Sequence, residues 1–514
     1  MKTRYMDVMR QFALISLIVI VLSSFVNVKS VSAAAPITVN TTLDDYGSNL
    51  TNCSLREAIQ AINDAGSFGG CTNSDGLADT IHLPAGIYYL IYSGTPEIMN
   101  ASGDLNIFRS MNIIGDGYAT TVIDGSNTDR VFWTVWDIDV SISQLTIRNG
   151  LSTQPGGGIY NTAYLTLSDV WFEANTAEYW GGGIYSVTGY LAPNAPSLTV
   201  INSIFFNNHT DNAGGSGGGI ANDGGILSLT DVTFVSNHVN NSGGGLWSVS
   251  THAAQLKRTK FIANIAVSGQ GGSIFNNGPM SIDESIISNG NAGAEGGNIY
   301  TGQFGDGGPH LQITNSQISG GYAQNGGGIS TDGQLTVVNT TLFDNYATSM
   351  GGAALFSREA TAPVILDHVT VAGNHLVPTA YGVIYRFYLA SPIEIHNSIL
   401  DAGAEDLCSD AVSSASSYNI ESGTSCGLPG AAGLHNQSST DALLLPNANN
   451  GGFSQTMAIP NNSPAVDAAN SIGCPATDQR QVLRPIDGNG DGIKGCDIGA
   501  FELGSHIFIP MITK

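Results

Sequence analysis

The 514-residue sequence is poor in charge, above all in positive charge. Lysine and arginine together number 17 against 41 aspartates and glutamates, and charged residues make up only 11% of the chain. The formal net charge of −24 repels the phosphates of nucleic acids and anionic lipid headgroups, so we expect neither as a partner. Neutral glycans, cations and basic proteins remain as ligand classes.

Long apolar runs are missing after the N-terminus. Basic residues precede one apolar run, Phe12 to Val21, which leads to a Val31-Ser32-Ala33 cleavage pattern. This arrangement predicts a secretory signal peptide over residues 1–33, whereas an uncleaved anchor is disfavoured because the run is short. We therefore expect a secreted or cell-surface protein, outer-membrane association included, with no transmembrane span after cleavage.

Cysteine is scarce, with six residues in the whole chain. An exported protein forms disulfides, and six cysteines allow 15 pairings, of which proximity in sequence favours one. The favoured pairs are Cys53 with Cys71, Cys408 with Cys426, and Cys474 with Cys496. All three lie outside the repeats described next, so we predict that disulfides fasten the two ends of the molecule.

Glycine, by contrast, is abundant, with 65 residues, and much of it recurs in short blocks of the type Gly-Gly-Gly-Ile. Eight blocks close at positions 159, 184, 220, 246, 274, 299, 329 and 354, in steps of 25 to 36 residues. A period of this size is typical of a solenoid, in which each repeat buries its apolar face against its neighbours.

A second element precedes most glycine blocks: alternating apolar residues, then a large apolar residue and, three positions later, an asparagine. The clear examples are Phe172 to Asn175, Phe205 to Asn208, Phe234 to Asn237 and Phe261 to Asn264, and the weaker ones are Ile286 to Asn289, Leu342 to Asn345 and Val371 to Asn374. Alternation predicts half-buried strands, and two or three strands a repeat predict an all-β fold, a parallel β-helix of ten or eleven coils. The asparagines are expected to form one hydrogen-bonded ladder along the stack.

The paired motifs at 172 to 184 and 234 to 246 resemble the repeats of the polymorphic outer-membrane protein family, which are right-handed parallel β-helix passenger domains of adhesins. Cys-Ser-Leu-Arg-Glu-Ala at 53 to 58 resembles the N-terminal CSLREA domain of secreted bacterial repeat proteins. The stretch from Asn450 to Leu503 is similar to the C-terminal domain that such proteins place before variable surface anchors. The resemblance implies a right-handed solenoid and a role in adhesion or surface display.

These features divide the chain into five parts. We predict a signal peptide over 1–33, an N-terminal cap over 34–100, parallel β-helix repeats over 101–403, a small disulfide-bearing C-terminal cap of the anchor type over 404–503, and a tail over 504–514. Ser54 to Glu57 forms a capping box before an amphipathic pattern, which predicts a short helix that shields the first coil.

One segment has the pattern of a calcium loop. Asp487, Asn489 and Asp491 place oxygen ligands at positions 1, 3 and 5, and Gly492 supplies the turn at position 6. Position 12 is Ile498 rather than glutamate, so Asp497 or Glu502 would have to complete the site. The alternative is a plain Asp/Gly turn, and calcium is the only cofactor that we expect.

The repeats also predict an aromatic stripe. If the residue that closes each glycine block points into the core, the next residue points outward. Five of these eight positions are aromatic, namely Tyr160, Tyr185, Trp247, Phe275 and Tyr300, whereas Ala221, Ser330 and Leu355 are not. An exposed stripe of this kind favours binding of a glycan or of a surface protein.

The sequence favours binding over catalysis. Lys257, Arg258 and Lys260 form the one basic cluster of the coils, and we expect them to form cross-coil ion pairs with Asp283 and Glu284. His209 and His238 are expected to stack in adjacent coils, which alone is weak evidence for a metal. The alternative function is a polysaccharide lyase or glycoside hydrolase, which would need clustered carboxylates or a base in one cleft.

Overall fold

The computed structural model describes residues 35–504, apart from 74–75, 78, 95–99, 189–194, 303–309, 359–362, 388–390, 402 and 404–405. The predicted signal peptide and residues 505–514 of the predicted tail lie outside the described residues. Within the described part, no helix is long and apolar enough to cross a membrane.

The chain from Ile37 onward forms a parallel β-helix, which confirms the predicted fold class. Each coil passes through four strand positions, here called columns A, B, D and C in chain order, and strands of successive coils pair in parallel within a column. Columns A and B share one 24-stranded sheet, because Asp139–Arg148 and Tyr164–Glu173 run through both. Column C has 11 strands and column D has 9.

The strands are as follows. Column A comprises Ile37–Thr38, Thr80–Leu83, Met111–Gly115, the first halves of Asp139–Arg148 and Tyr164–Glu173, Ser197–Ile201, Ile226–Thr230, Ala254–Lys257, Met280–Asp283, His310–Thr314, Gln334–Val338, Val364–Asp367 and Glu394–His396. Column B comprises Gly86–Tyr89, Thr121–Asp124, the second halves of the two long strands, Ile204–Phe206, Thr233–Val235, Lys260–Ile262, Ile286–Ser288, Gln317–Ser319, Thr341–Phe343, Thr370–Ala372, Ile399–Asp401 and Ile420–Glu421. Column C comprises Leu105–Ile107, Phe132–Thr134, Ile159–Asn161, Ile184–Val187, Ile220–Asp223, Leu246–Val249, Ile274–Asn277, Ile299–Thr301, Ile329–Thr331, Leu355–Ser357 and Ile384–Arg386. Column D comprises Leu151–Ser152, Thr176–Ala177, His209–Thr210, His238–Val239, Ile265–Ala266, Asn291–Ala292, Tyr322–Asn325, Tyr346–Gly351 and His375–Leu376.

The core is a set of stacked identical or similar side chains. Phe172, Phe205, Phe234 and Phe261 occupy one register of column B and stack with ring centroids 4.7, 4.8 and 4.5 Å apart. The strand spacing of about 4.8 Å imposes this distance, because equivalent residues lie directly above one another. All four rings are fully buried.

The predicted asparagine ladder is present beside this stack. The side-chain amide of Asn208 donates to the carbonyl of Phe172 and to Oδ1 of Asn237, each at 3.0 Å. Its own Oδ1 accepts from the backbone amide of Asn175 at 3.1 Å. The ladder therefore satisfies polar backbone groups that the turn leaves inside the core.

The predicted ladder position at Asn289 is wrong by one residue. Register pairs Phe261 with Ile287, so Gly290 takes the ladder position, whereas Asn289 lies exposed in the turn with a φ of +56°. The next coil carries Gly321 at the same position, because Ile318 pairs with Ile287. The fully buried Asn298 fills this gap: its Oδ1 accepts from the Gly290 amide at 2.9 Å and its Nδ2 donates to Asn345 Oδ1 at 3.2 Å.

The N-terminal helix α1, Leu55–Asn63, begins at the predicted capping box. The Ser54 hydroxyl accepts from the Glu57 amide at 3.2 Å, and the Glu57 carboxylate accepts from the Ser54 amide at 3.0 Å. At the other end of the helix, the Asn63 side chain donates to the carbonyl of Asn106 in the first strand of column C at 2.8 Å. The helix therefore lies against the first coil, as predicted.

The three predicted disulfides are confirmed, Cys53–Cys71, Cys408–Cys426 and Cys474–Cys496. The coils themselves extend beyond the predicted range of 101–403. Ladder pairing begins at Ile37 with Ile81, and it continues from Ile399 to Ile420 and through a bridge to Gln437. Cysteines 53, 71, 408 and 426 therefore fasten the terminal coils themselves.

Residues 451–503, here called the C-terminal strap, lie along the outer face of column B. The contacts follow one register of the column: Phe453 with Lys260, Gln455 with Gln317, Gln479 with Thr341, and Ala500 with Thr370. A second small core joins the two parts, in which Ile399 and Ile420 of the coils pack with Ile459, Ala465, Ile498 and Phe501.

Candidate functional site

The predicted aromatic stripe lies in one register of column C. The closing residues Ile159, Ile184, Ile220, Leu246, Ile274 and Ile299 pair with one another and are fully buried, so the following residues are on the outer face. Tyr160 lies 5.5 Å from Tyr185, Trp247 lies 6.2 Å from Phe275, and Phe275 lies 5.2 Å from Tyr300, all between ring centroids.

The prediction that all five rings are exposed is wrong for two of them. Tyr185 and Tyr300 are only 7% and 5% exposed. Each hydroxyl donates to an aspartate of the next coil, to Asp223 at 3.0 Å and to Asp332 at 2.8 Å. The intervening stripe positions hold Ala221 and Ser330, whose small side chains leave space for the tyrosine to lean across.

The prediction for the eighth glycine block is also wrong by one residue. Leu355, rather than Ala354, pairs with Ile329, so Leu355 is a core residue and Phe356 takes the outer position. Phe356 stacks on Tyr385 at 5.2 Å. Interruption at Ala221 and Ser330 therefore splits the stripe into three separate ring clusters.

The first cluster extends further than the sequence indicated. Trp133 precedes Tyr160 in the same register, with ring centroids 6.3 Å apart, and Trp180 stacks on Tyr185 at 6.0 Å. Tyr179 continues the series, 5.8 Å from Trp180. Trp133, Tyr160, Tyr185, Trp180 and Tyr179 form what we call the aromatic run. Trp180 and Tyr179 are 38% and 37% exposed, so this end of the run faces solvent.

A cleft of about 300 Å³ opens at the other end of the run. Trp133 and Tyr160 line it together with Asp104, Asp129 and Arg130, and the polar side chain of Gln154 lies at its edge. Asp104 directly precedes a strand of column C, and Asp129 and Arg130 precede the next one. Stacking of two coils therefore brings both carboxylates and the guanidinium to one place.

Arg130 holds the cleft together. Its Nη1 donates to Asp104 Oδ2 at 3.1 Å, its Nε to the carbonyl of Gly156 at 2.9 Å, and its Nη2 to the hydroxyl of Ser152 at 3.2 Å. The guanidinium also lies 5.1 Å from the centre of the Tyr160 ring, within cation–π range. Each of the three nitrogens donates one hydrogen bond to the protein and the side chain is only 9% exposed, so Arg130 is a largely buried structural cation within the cleft.

Asp129 differs from Asp104 in that it makes no ion pair among the described residues. One oxygen accepts from the backbone amide of Arg130 at 2.7 Å. Burial raises the pKa of Asp129, although Arg130 and Arg56 oppose that shift. Among the described residues that line the cleft, two carboxylates and one guanidinium give a formal net charge of −1.

Sequence reasoning found Tyr160 and Tyr185 but missed the cleft. The glycine blocks begin at 156, and the two earlier coils of column C lack them, so Trp133 had no visible register. A signal was present, because Phe132 precedes Ile159 by 27 residues, within the range of the repeat, and Trp133 follows Phe132 as Tyr160 follows Ile159. Asp104 and Asp129 carry no motif of their own.

The predicted calcium loop forms a turn held by its own side chains. The Asp487 carboxylate accepts from the amides of Gly490 and Gly492 at 2.7 and 2.9 Å, and Asn489 and Asp491 each accept from an amide two residues later. Asp497 is fully buried and accepts from the amide of Asp467 at 2.7 Å, and burial raises its pKa to about 7. In the described part of the chain, no group of three or more His, Cys, Asp or Glu side chains is placed to hold a metal ion. Calcium at Asp487, Asn489, Asp491 and Asp497 stays a prediction.

The basic cluster forms ion pairs: the expected pair of Lys257 with Asp283 is confirmed, whereas Arg258 does not pair with Glu284. Lys257 Nζ lies 3.4 Å from Asp283 and 3.3 Å from Glu284, while Arg258 pairs with Asp231 of the preceding coil at 2.6 Å. Arg258 and Glu284 have φ values of +49° and +48°, so neither has the extended backbone in which successive side chains point to opposite faces of a strand.

The predicted stacking of His209 and His238 is confirmed, with ring centroids 4.7 Å apart and planes within 6°. Desolvation and the neighbouring His209 lower the pKa of His238. The pair lies on column D, apart from the cleft-lining side chains.

Comparison with known proteins finds distant similarity only. No family model matches the chain. A curated relative, "Probable autotransporter YfaL" of Escherichia coli (strain K12), is 29% identical over 240 residues, which cover 41% of this chain and 18% of the relative. The chain thus matches about a fifth of the length of that relative.

Two solved structures resemble the fold. The A-module of the Azotobacter vinelandii mannuronan C-5 epimerase AlgE6 covers 69% of this chain and 91% of its own, with a TM-score of 0.38 and 14% identity. Pectate lyase Pel9A covers 91% and 97%, with a TM-score of 0.33 and 14% identity. At these values neither structure bears on the chemistry of this chain.

Proposed function

We propose that this protein is a secreted, surface-associated β-helix protein that acts in adhesion or display by binding a glycan along the flank formed by column C. The observation that carries the proposal is the aromatic run leading into the cleft. Aromatic faces suit the apolar faces of pyranose rings, and polar groups in a cleft give orientation and specificity. The distant likeness to an autotransporter and the three disulfides support an extracellular or surface location.

The two ends of the run offer stacking surfaces to an extended ligand, one at the cleft and one at Trp180 and Tyr179, with the buried Tyr185 between them. The five rings follow one another at 5.5 to 6.3 Å between centroids, from the cleft to the exposed Tyr179. Successive coils supply Trp133, Tyr160 and Tyr185 from one strand position, so the spacing is fixed by backbone hydrogen bonds. A rigid platform of this kind lowers the entropic cost of binding.

Removal of either end of the run is expected to weaken glycan binding. Trp133→Ala and Trp180→Ala should each reduce the affinity for a bound glycan by about tenfold, because each removes a stacking surface. The measurement is a glycan array with the purified chain, followed by titration with the oligosaccharide that it retains.

Trp136→Ala is the matched control. Trp136 is 48% exposed and lies three residues from Trp133, but it is not part of the aromatic run. Its replacement should leave retention unchanged. Unaltered retention by both Trp133→Ala and Trp180→Ala would remove the aromatic run from the binding surface.

The second candidate function is cleavage of a polysaccharide. The observation that favours it is that two carboxyl groups, Asp104 and Asp129, line one cleft in different environments. Such a pair is what hydrolysis of a glycosidic bond requires. Binding ranks first because Arg130 holds Asp104 in an ion pair and because the aromatic run extends well beyond the cleft.

An assay of new sugar ends separates the two candidates. For a binding protein, incubation with the retained glycan should release neither reducing ends nor unsaturated products. Turnover that disappears in both Asp104→Asn and Asp129→Asn would establish the enzyme instead.

A further inference from the structure

We infer that the cleft selects glycans that carry a free amine, with Asp129 as the partner of the ammonium group. This inference rests on the proposed function and names the ligand class of the same site. It follows from the charges that the cleft holds and from those that it lacks.

The one basic side chain among the described residues that line the cleft is already paired within the protein. Arg130 donates to Asp104, Gly156 and Ser152, and its side chain is only 9% exposed. Arg56, the nearest other arginine that acts on Asp129, is itself paired with Asp44 at 2.6 Å. A uronate carboxylate would therefore meet the negative charge of Asp129 without a counter-ion.

Asp129 is an anion of the cleft that has no ion-pair partner among the described residues, so it can bind a ligand cation. The Asp129 carboxylate is partly buried, so it has lost part of its hydration. One backbone amide donates to it and the Arg130 guanidinium lies nearby, but these do not offset the loss, and the pKa of Asp129 is raised. A ligand ammonium would compensate it with a charge-assisted hydrogen bond. Trp133 and Tyr160 border the same space, so a pyranose ring can stack while its amine contacts Asp129.

The electrostatics of the whole chain agree with this assignment. The net charge of −24 attracts cationic polymers towards the surface, whereas it slows the approach of polyuronates. Long-range attraction alone is not selective among sites, however, so the test has to separate the cleft from the general negative surface.

The experiment compares three hexasaccharides of equal length by calorimetric titration at physiological salt: a glucosamine hexamer, its fully N-acetylated form and a galacturonate hexamer. The glucosamine hexamer should bind about tenfold more tightly than the acetylated one, because an ion-paired hydrogen bond exceeds a neutral one. The galacturonate hexamer should show no binding.

Asp129→Asn should abolish the preference, so that the amine and acetylated hexamers bind with equal affinity. Asparagine keeps the acceptor for the Arg130 amide, so the fold of the turn is retained. Asp139→Asn, which removes the same charge from an exposed position outside the cleft lining, should keep the preference.

Equal affinity for the amine and acetylated hexamers, or a preference that survives Asp129→Asn, would overturn the inference while leaving glycan binding intact. Absence of binding for all three hexamers and for every glycan on the array would overturn the proposed function itself. The two failures are therefore distinguishable.

Discussion

Asn298→Gly should lower the free energy of unfolding by about 3 kcal/mol, because it removes three hydrogen bonds from a fully buried amide. Oδ1 of Asn298 accepts from the Gly290 amide at 2.9 Å, and Nδ2 donates to the Ser319 carbonyl at 2.9 Å and to Asn345 Oδ1 at 3.2 Å. Loss of the side chain leaves the Gly290 amide without a partner and opens a void in the ladder. The Ser319 carbonyl keeps the amide of Asn289 and Asn345 Oδ1 keeps the amide of Gly321, so each loses one of two donors. Chemical denaturation monitored by circular dichroism measures the change.

The same side chain predicts a rescue. Elsewhere the third glycine of a block packs against the ladder asparagine of the next coil, as Gly158 packs beside Asn175. At 298 and 321 the two residue types are exchanged, so Gly321→Asn in the Asn298→Gly background should restore part of the lost stability. The rescue is partial because the Cβ at 321 would still lie 2.0 Å from the backbone oxygen of Gly327, which has to shift. Gly321→Asn alone should destabilise more, because its Cβ would lie 2.0 Å from the backbone oxygen of Gly327 and also 2.6 Å from Nδ2 of Asn298.

Asn289→Gly is the matched control for this exchange. Asn289 is exposed and has a φ of +56°, which glycine adopts without strain, so we expect a change within about 0.5 kcal/mol. Additive losses in the double variant would contradict the exchange.

Arg56→Ala should cost about 3–5 kcal/mol, because it breaks an ion pair that is buried at the N-terminal end of the solenoid. Arg56 is fully buried, its Nε lies 2.6 Å from Asp44, and its Nη2 donates to the carbonyl of Gly103 at 3.0 Å. Removal leaves the buried Asp44 carboxylate without its counter-ion, with only the amides of Ile91 and Tyr92 as donors, and it removes the hydrogen bond from α1 to the Gly103 carbonyl. The measurement is again the free energy of unfolding.

Arg258→Ala provides the comparison, since Arg258 also pairs with an aspartate at 2.6 Å but its side chain is 34% exposed. Exposed pairs contribute up to about 1 kcal/mol, so this variant should remain near the parent in stability. Equal losses in the two variants would show that burial is not what makes the Arg56 pair strong.

The solenoid could be predicted from the sequence because the same residue types recur at equivalent positions of successive coils. Glycine blocks, core phenylalanines and ladder asparagines each occur where equivalent atoms must stack. The spacing of these residues along the sequence therefore predicts which residues pair between neighbouring coils. The period failed locally where two residues compensate each other, as at Gly290 and Asn298, because a pattern search treats each position separately.

The candidate site was less predictable for a different reason. Outward direction follows from alternation within a strand, which gave Tyr160 correctly, but exposure depends on neighbouring coils. Tyr185 became buried because Ala221 one coil later leaves room and Asp223 supplies an acceptor. Asp129 and Trp133 lie in coils without glycine blocks, so only the three-dimensional stack brings them together.

The C-terminal strap should change which parts of the solenoid unfold together. A stack whose coils touch only their neighbours can open one coil at a time. The strap contacts column B at Lys260, Gln317, Thr341 and Thr370, so it links strands up to four steps apart. Amide hydrogens in those coils should therefore exchange as one cooperative unit, whereas the coils that hold the aromatic run, free of the strap, should exchange in smaller and independent openings.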